Sequence, residues 1–365
     1  MRVLLLCCLL LLSLPASAAV MLIYHHVAED TPRVSSVTAA EFRGHLQYLR
    51  DNHFQVIGLD VLIDQLKSGK PIADNAVVIT FDDSYENNFT TAHPILQEFG
   101  YPYTIFISPG DIDKGTGPVM NWQQIKQMSE DGVLVANHAM WHEHMARPEA
   151  GESQAQWRQR MKQSILAAED KIEQVTGQRH QWLAYPYGEY SVALEQLVSE
   201  LGFIGIGQHS GAIGNNSVLT RLPRFPAAGR YADLTDLAQK LRTLAFTVTD
   251  DHGVNPVIAD RNPPQLKLSL TIDDFNRQQL QCFAGAQIRR EKFAMRTWKG
   301  WLEKKSAAFT RFCVFAYSEM RETTISLFSL SITDNFICTK MSDRSALSRR
   351  WVWNSEAVVW PPFTI

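Results

Sequence analysis

The chain has 365 residues, of which 45% are hydrophobic, and it includes nine Trp, enough for a sizeable buried core. Its formal net charge is −3 and it has no long basic run, which disfavours nucleic acid and anionic membrane surfaces as partners. A chain of this length can hold two domains.

The first 18 residues have the pattern of a secretory signal peptide. Arg2 precedes the apolar run 3–14, and a small-x-small site ends at Ala18. The apolar run is too short for a comfortable membrane span. We therefore expect cleavage near Ala18 and export to the periplasm or the medium. The mature chain would keep an odd number of Cys, which allows at most one internal disulfide.

Short apolar strands alternate with helical stretches from residue 20 to about residue 246. Strands are predicted at Met21–Tyr24, Ala76–Phe81, Tyr103–Ser108, Val133–Asn137, Trp182–Tyr185 and Phe203–Gly207. Helices are predicted at Ala39–Asn52, Asp60–Ser68, Phe89–Phe99, Trp122–Asp131, Gln154–Thr176 and Val192–Leu201. This alternation predicts a parallel sheet or barrel, in which a site gathers at the carboxyl ends of the strands.

Two adjacent carboxylates follow the predicted strand Ala76–Phe81. Asp82 and Asp83 repel each other and resist joint ionisation unless a cation or a shared proton lies between them. The pair therefore predicts a metal site or a shared proton. The alternative is a solvated turn or a helix cap, where Asp is also common.

Two histidines in the pattern His-x-x-x-His follow the strand Val133–Asn137. On a helical turn, side chains four apart lie on one face with Cβ atoms about 5–6 Å apart, which suits chelation of one ion. His138, His142 and Asp83 would supply two nitrogens and one oxygen and leave a fourth position for water, the pattern of catalytic zinc. His144 leaves a histidine-rich loop as the alternative.

The third motif is a turn that follows the strand Trp182–Tyr185. Pro186 and Gly188 fix a turn that bares backbone N–H groups. Such groups beside a metal could hold the oxyanion of a tetrahedral intermediate, with Tyr187 as the favoured donor.

Together and in this order, the segments Thr80–Asp83, His138–His142 and Pro186–Gly188 resemble the polysaccharide deacetylases of carbohydrate esterase family four, the NodB-homology domain. The resemblance covers about residues 20–250. It implies an α/β fold, a distorted (β/α) barrel, that removes acetyl groups from N-acetylated sugars.

The resemblance also implies the role of each motif residue. Asp82 would be the general base, and Asp83, His138 and His142 would bind a divalent metal, with zinc as the first choice. The backbone amide of Tyr187 would help to stabilise the oxyanion.

The chain departs from the family pattern in two places. The family's third motif usually has an Arg that orients the base, where this chain has Ala184. Arg179, Arg221 or Arg224 could supply it from elsewhere, and the sequence does not choose among them. The family's general acid is commonly a late His, and His209 is in about the right place, although a loop His without a catalytic part fits its surroundings equally well.

Further residues are candidates for the walls of a substrate pocket. Trp122 matches the family's Trp-containing motif, with an ordinary core Trp as the alternative, and Pro186 and Tyr187 would line the same pocket. His25 ends the first strand and could face this crevice, although a structural His is the safer interpretation.

The remaining chain divides by composition. After a deacetylase domain over residues 19–250, residues 251–300 are interpreted as a linker and a small β appendage, with Leu266–Ile272 alternating like an antiparallel strand. All 20 Gly lie before the tail 301–365. The tail is therefore interpreted as out of the ancestral reading frame, or as a divergent, poorly ordered extension of uncertain fold.

The favoured function is a metal-dependent hydrolase that removes N-acetyl groups from N-acetylglucosamine units of a polysaccharide. One alternative is an esterase that cleaves O-acetyl groups at the same site, since ester leaving groups need less acid assistance. A second is a catalytically silent glycan-binding protein on the same fold. The sequence does not identify protein partners.

Overall fold

The structure is a computed structural model that describes residues 18–115, 117–245 and 255–257, together with the backbone of six strands between residues 247 and 341. The predicted signal peptide, apart from Ala18, and most of the tail 301–365 lie outside the described residues. Within the described part of the chain, no helix combines the length and the apolar character needed to cross a membrane.

The strands and helices alternate along most of the described chain. The strands up to residue 244 are β1 (Ala18–Tyr24), β2 (His26–Val27), β3 (Ser36–Val37), β4 (Gln55–Val56), β5 (Ala76–Phe81), β6 (Thr104–Ile107), β7 (Leu134–Asn137), β8 (Trp182–Ala184), β9 (Ile204–Ile206), β10 (Ile213–Gly214), β11 (Phe225–Pro226) and β12 (Thr243–Leu244). The α-helices are α1 (Ala39–Asp51), α2 (Leu59–Ser68), α3 (His93–Phe99), α4 (Pro109–Lys114), α5 (Trp122–Glu130), α6 (Gln154–Thr176), α7 (Val192–Glu200) and α8 (Leu234–Lys240). The later strands are β13 (Thr247–Asp250), β14 (Gln265–Thr271), β15 (Phe275–Ala284), β16 (Phe312–Glu319), β17 (Thr323–Phe328) and β18 (Ile337–Met341).

One curved, mostly parallel sheet organises the molecule. Its strands run in the order β10-β1-β5-β6-β7-β8-β9, and every neighbouring pair is parallel except β1 and β10. Residues 219–226 connect β9 back to β1. Gly205 and Gly207 donate backbone hydrogen bonds to the carbonyls of Leu219 and Leu222, and β11 then pairs with β1 in parallel. This segment completes a distorted barrel.

Both faces of the central strands are buried, as expected for parallel strands between helices and a packed interior. Along β5, Val77 and Ile79 pack in one apolar cluster, whereas Ala76 and Val78 pack in another. The strand period of two continues the second face to Asp82. The carboxylate therefore leaves the strand on the same side as Ala76 and Val78.

Local sequence explains where several helices start and stop. Helices α1, α5 and α6 each begin with a reciprocal capping box, which satisfies backbone N–H groups at the helix start. In α6 the box joins Ser153 and Gln156, and the helix ends at Gly177 in the left-handed conformation. The longest described helix is thus fixed at both ends, and it packs beside β7.

The predicted elements agree closely with the observed ones. All six predicted strands and six helices are present, and most bounds differ by no more than one residue; β1 starts earlier, at Ala18. The predicted helix Phe89–Phe99 is a π-helical turn, Asn88–Ala92, that leads into α3. The strand predicted at Leu266–Ile272 is β14, and it pairs antiparallel with β13 and β17. The short elements α4, α8, β2–β4 and β10–β12 were not predicted, because segments this short carry no clear periodicity.

Candidate functional site

The two adjacent carboxylates at the end of β5 point in different directions. Asp82 still follows the strand and is fully buried. Asp83 and Ser84 then adopt left-handed backbone conformations, with φ of 70° and 58°, which non-glycine residues seldom adopt. This abrupt turn separates the two side chains, so that each meets its own set of partners.

Asp83 lies against the two histidines of the His-x-x-x-His motif. Its Oδ1 is 3.2 Å from Nε2 of His138 and 3.1 Å from Nε2 of His142. The ligand atoms of the three side chains all lie within 4.8 Å of one another. The structure therefore brings together the three residues that the sequence suggested as metal ligands.

The histidines converge from an irregular loop, so the expected helical turn is wrong. Residues after β7 leave the regular strand, with Ala139 and His142 in left-handed conformations at φ of 61° and 52°. The two imidazole centroids are nevertheless 4.9 Å apart. Backbone reversals, rather than helix periodicity, place both rings on one side.

The chemistry of these three side chains fits a divalent cation. Nδ1 of His138 donates to the carbonyl of Ala184 at 2.8 Å, which directs the lone pair of Nε2 towards Asp83 in the neutral ring. Nε2 of His138 and Oδ1 of Asp83 are both buried, and neither has a well-aligned hydrogen-bond partner among the described residues. A cation between these facing lone pairs would satisfy both, and a set of two nitrogens and one oxygen suits zinc or a similar ion.

Asp82 forms a buried pair with Arg224 beside this cluster. Nη1 and Nη2 of Arg224 donate to the two carboxylate oxygens, each at 2.7 Å, and Nε donates to the carbonyl of Gly207 at 2.9 Å. Burial alone would raise the pKa of Asp82, but the charge of Arg224 and the hydrogen bonds from its guanidinium oppose burial, and the pKa is lowered. Asp82 is therefore held ionised, with Oδ2 4.0 Å from Nε2 of His138.

The structure selects Arg224 from the three arginines left open by the sequence. Arg179 instead pairs with Asp170 and Glu173, and Arg221 pairs with Glu195. Arg224 therefore makes the contact with Asp82 that the resemblance assigned to the Arg replaced here by Ala184. The signal available in the sequence was a single Arg within the otherwise apolar run 222–228, where a buried cation requires a buried anion.

The predicted oxyanion turn lies next to the histidines. Tyr187 has φ of 59°, and its ring centroid is 4.5 Å from that of His142 and 4.1 Å from that of His144. Pro186 is buried at the start of the turn. His144 is exposed and lies 3.0 Å from Glu189, so it contacts the turn rather than the carboxylate of Asp83.

His25 lies beside the cluster, although the sequence favoured a structural role. Its Nε2 is 3.9 Å from Oδ2 of Asp83, the oxygen that the ion pairs with His138 and His142 do not use. Burial lowers the pKa of His25. The signal available in the sequence was the position of His25 directly after the first strand. The structure adds that this strand pairs with β5.

Two other predicted residues have different surroundings. His209 contacts the ring of Tyr190 and accepts a hydrogen bond from the Arg224 amide through its own carbonyl. Burial and the charges of Arg221 and Arg224 lower the pKa of His209 to about 4. Trp122 donates to Asp113 at 2.7 Å and packs against the core, an arrangement that favours a structural role.

Helix α6 anchors the histidine loop. The buried side chain of Asn137 donates to the carbonyl of Ile165 at 2.9 Å and to Glu169 at 3.0 Å, and it accepts from the amide of Ala139 at 2.9 Å. The hydroxyl of Ser164 accepts from the next amide, that of Met140, at 3.0 Å. These bonds hold the left-handed conformation between the two histidines.

Replacing Asn137 with Ala should therefore weaken metal binding without removing any ligand. Loss of groups that orient metal ligands typically lowers metal affinity about 10–100-fold, and we expect a change of that size for zinc. Competition titration with a chromophoric chelator measures it. Asn52→Ala is a matched control, because Asn52 donates to a carbonyl of α1 in the same way. Unchanged zinc affinity in a folded Asn137→Ala protein would contradict the anchoring role.

The comparisons with known proteins agree with this geometry. Residues 69–206 match the family model described as polysaccharide deacetylase. The chain is 23% identical over 256 residues to the poly-beta-1,6-N-acetyl-D-glucosamine N-deacetylase of Escherichia coli K12. That match covers 60% of this chain but only 38% of the relative.

Solved structures confirm the predicted fold class. The deacetylase PplD of Streptococcus pyogenes, in complex with acetate, superposes with a TM-score of 0.55 at 20% identity, covering 62% of this chain and 99% of that one. A de-N-acetylase from Aggregatibacter actinomycetemcomitans gives a TM-score of 0.55 at 19% identity, covering 61% and 100%. The chain therefore matches the polysaccharide deacetylase family model from β5 to β9 and shares the fold of these two solved deacetylases.

Proposed function

We propose that the protein is a metal-dependent deacetylase that removes N-acetyl groups from N-acetylglucosamine units of a polysaccharide. The observation that carries the proposal is the convergence of His138 and His142 on Asp83, next to an ionised Asp82. The family match supports the reaction class, and the name of the E. coli relative supports the sugar.

The residues that would hold the metal are Asp83, His138 and His142. A divalent ion at this position supplies Lewis acidity, which polarises the acetyl carbonyl and makes water a better nucleophile near neutral pH. Zinc is the proposed ion because imidazole and carboxylate ligands suit it. Arg224 fixes the orientation of Asp82, which takes the proton from the attacking water. The backbone amide of Tyr187 donates to the oxyanion.

The leaving amine must be protonated, and the surroundings favour His25 for this step over His209. His25 lies next to Asp83, whereas the described contacts of His209 join it to Tyr190 and Arg224. A proton donor has to lie within hydrogen-bond reach of the group that it protonates. His25 is the favoured donor because its Nε2 lies 3.9 Å from Oδ2 of Asp83, at the border of the proposed metal centre.

A catalytically silent glycan-binding protein is the weaker alternative. It was suggested by Ala184 in place of the family's Arg, but Arg224 pairs with Asp82 at 2.7 Å from another segment. A protein that only binds glycan does not need an ionised Asp82 beside the metal-binding atoms of His138 and Asp83. The proposed export of the chain after removal of residues 1–18 is compatible with an extracellular or periplasmic polymer as substrate.

An acetate-release assay tests the proposed function. The purified protein should release acetate from β-1,6-linked N-acetylglucosamine oligomers, lose this activity in excess chelator and regain it with zinc. Matched O-acetylated sugars measure any esterase activity in parallel. Release only from the O-acetylated sugars would favour the esterase, and bound zinc with no release from either would favour the binding protein.

A further inference from the structure

An exposed tryptophan lies within the histidine motif itself. Trp141 precedes His142 directly, and 47% of its surface is accessible to solvent. The other exposed large apolar side chains among the described residues are aliphatic. Trp is enriched at binding interfaces, where its large ring supplies apolar contact area.

The ring of Trp141 is held in place along one side of α4. A Cβ added to Gly110 would lie 2.2 Å from the ring, so only glycine leaves room for the indole there. The ammonium of Lys114 lies 4.4 Å from the ring centroid. Gly110 and Lys114 are four residues apart and lie on one face of α4, so both contacts with the ring come from this helix. Much of the indole surface nevertheless remains exposed.

The backbone around Trp141 ties this ring to the metal cluster. The amide of Gly110 donates to the carbonyl of Met140 at 2.8 Å, and the amide of Trp141 donates to Glu143 at 3.1 Å. Lys114 lies 3.7 Å from Asp111.

We propose that Trp141 is a stacking platform for a sugar ring next to the unit whose acetyl group is removed. The inference rests on the proposed function, since it takes the ligand to be a chain of N-acetylglucosamine units. Pyranose rings present C–H faces that pack on aromatic rings, and a fixed indole loses little conformational entropy on binding.

Binding without turnover tests the platform directly. In excess chelator, calorimetric titration with a β-1,6-linked N-acetylglucosamine pentamer should give a Kd that rises about tenfold in Trp141→Ala, as for truncated aromatic anchors. Trp141→Phe should lose less, because it keeps a smaller ring. Val61→Ala, which shortens an exposed aliphatic side chain of α2, should bind like the parent protein.

Steady-state kinetics on two substrates provide the second test of the platform. With zinc, Trp141→Ala should lower kcat/KM on the pentamer about tenfold and lower it much less on a small aryl acetate, because that ester is too small to reach a second sugar site. An equal loss on both substrates would show damage to the metal ligands and overturn the platform. Equal pentamer affinity in Trp141→Ala and the parent, or no pentamer binding by the parent, would also overturn it. If binding depends on Trp141 but no acetate is released, the proposed function fails while the platform stands.

Discussion

His138→Ala should lose both bound zinc and deacetylation, whereas Asp82→Asn should retain zinc and lose turnover. His138 faces Asp83 through Nε2, and removing the ring leaves only two of the three ligand side chains. Asp82 instead faces Arg224, and an Asn side chain keeps an oxygen for that guanidinium but cannot accept a proton from water. We expect kcat for Asp82→Asn to fall by roughly 10²–10⁴, the usual contribution of a general base.

Zinc content by atomic emission and acetate release from the same samples measure the two effects. His144→Ala is the matched histidine control, since its exposed ring pairs with Glu189 and lies off the Asp83 carboxylate. It should keep zinc. Equal zinc loss in His138→Ala and Asp82→Asn, with both proteins folded, would contradict the separation of ligand and base.

Arg224→Met should be the most destabilising single change at the site. It leaves the buried Asp82 carboxylate without the only cation that hydrogen-bonds to it in the described structure, and breaking a buried pair from one side costs about 3–5 kcal/mol. Arg224→Lys should recover part of this loss. A single ammonium can donate to Asp82 but cannot reproduce two parallel bonds together with the bond to Gly207. Activity should fall in both variants, because the carboxylate is no longer held in one orientation.

The free energy of unfolding from urea titration measures this effect, with Arg221→Met as the control. Arg221 pairs with Glu195 in a partly exposed position, and Glu195 keeps a hydrogen bond from the hydroxyl of Thr220 when the guanidinium is removed. The control should therefore lose less stability. If Arg224→Met and Arg221→Met lowered the free energy of unfolding equally, the buried Asp82–Arg224 pair would not stabilise the fold more than the partly exposed Arg221–Glu195 pair does.

Much of the cluster could be predicted because parallel strands end at one edge. Asp83 follows β5 and His138 follows β7, and both strands pair with β6 between them. The strand order alone therefore brings Asp83 and His138 to the same edge of the sheet. The loop conformation itself could not be predicted, because the left-handed conformation of Ala139 is held by hydrogen bonds that join Asn137 and Met140 to α6, more than twenty residues later.

Arg224 and His25 show where sequence reasoning had too little information. Arg224 lies on a short segment without periodicity, 142 residues from Asp82, so neither spacing nor amphipathicity connects the two. His25 follows β1, and only the pairing of β1 with β5 shows that it ends beside Asp83. Both contacts depend on strand order, which local patterns do not determine.

The segment that connects β9 back to β1 also carries Arg224. The ribosome therefore synthesises the countercharge of Asp82 142 residues after Asp82 itself. A nascent chain that ends at Tyr187 already contains all three proposed metal ligands but cannot yet bury Asp82 with its guanidinium. The site can therefore be completed only after residue 224 has been synthesised. A product that terminates before that point would keep Asp82 without its countercharge and would have an open sheet edge, which makes it a substrate for proteolytic clearance.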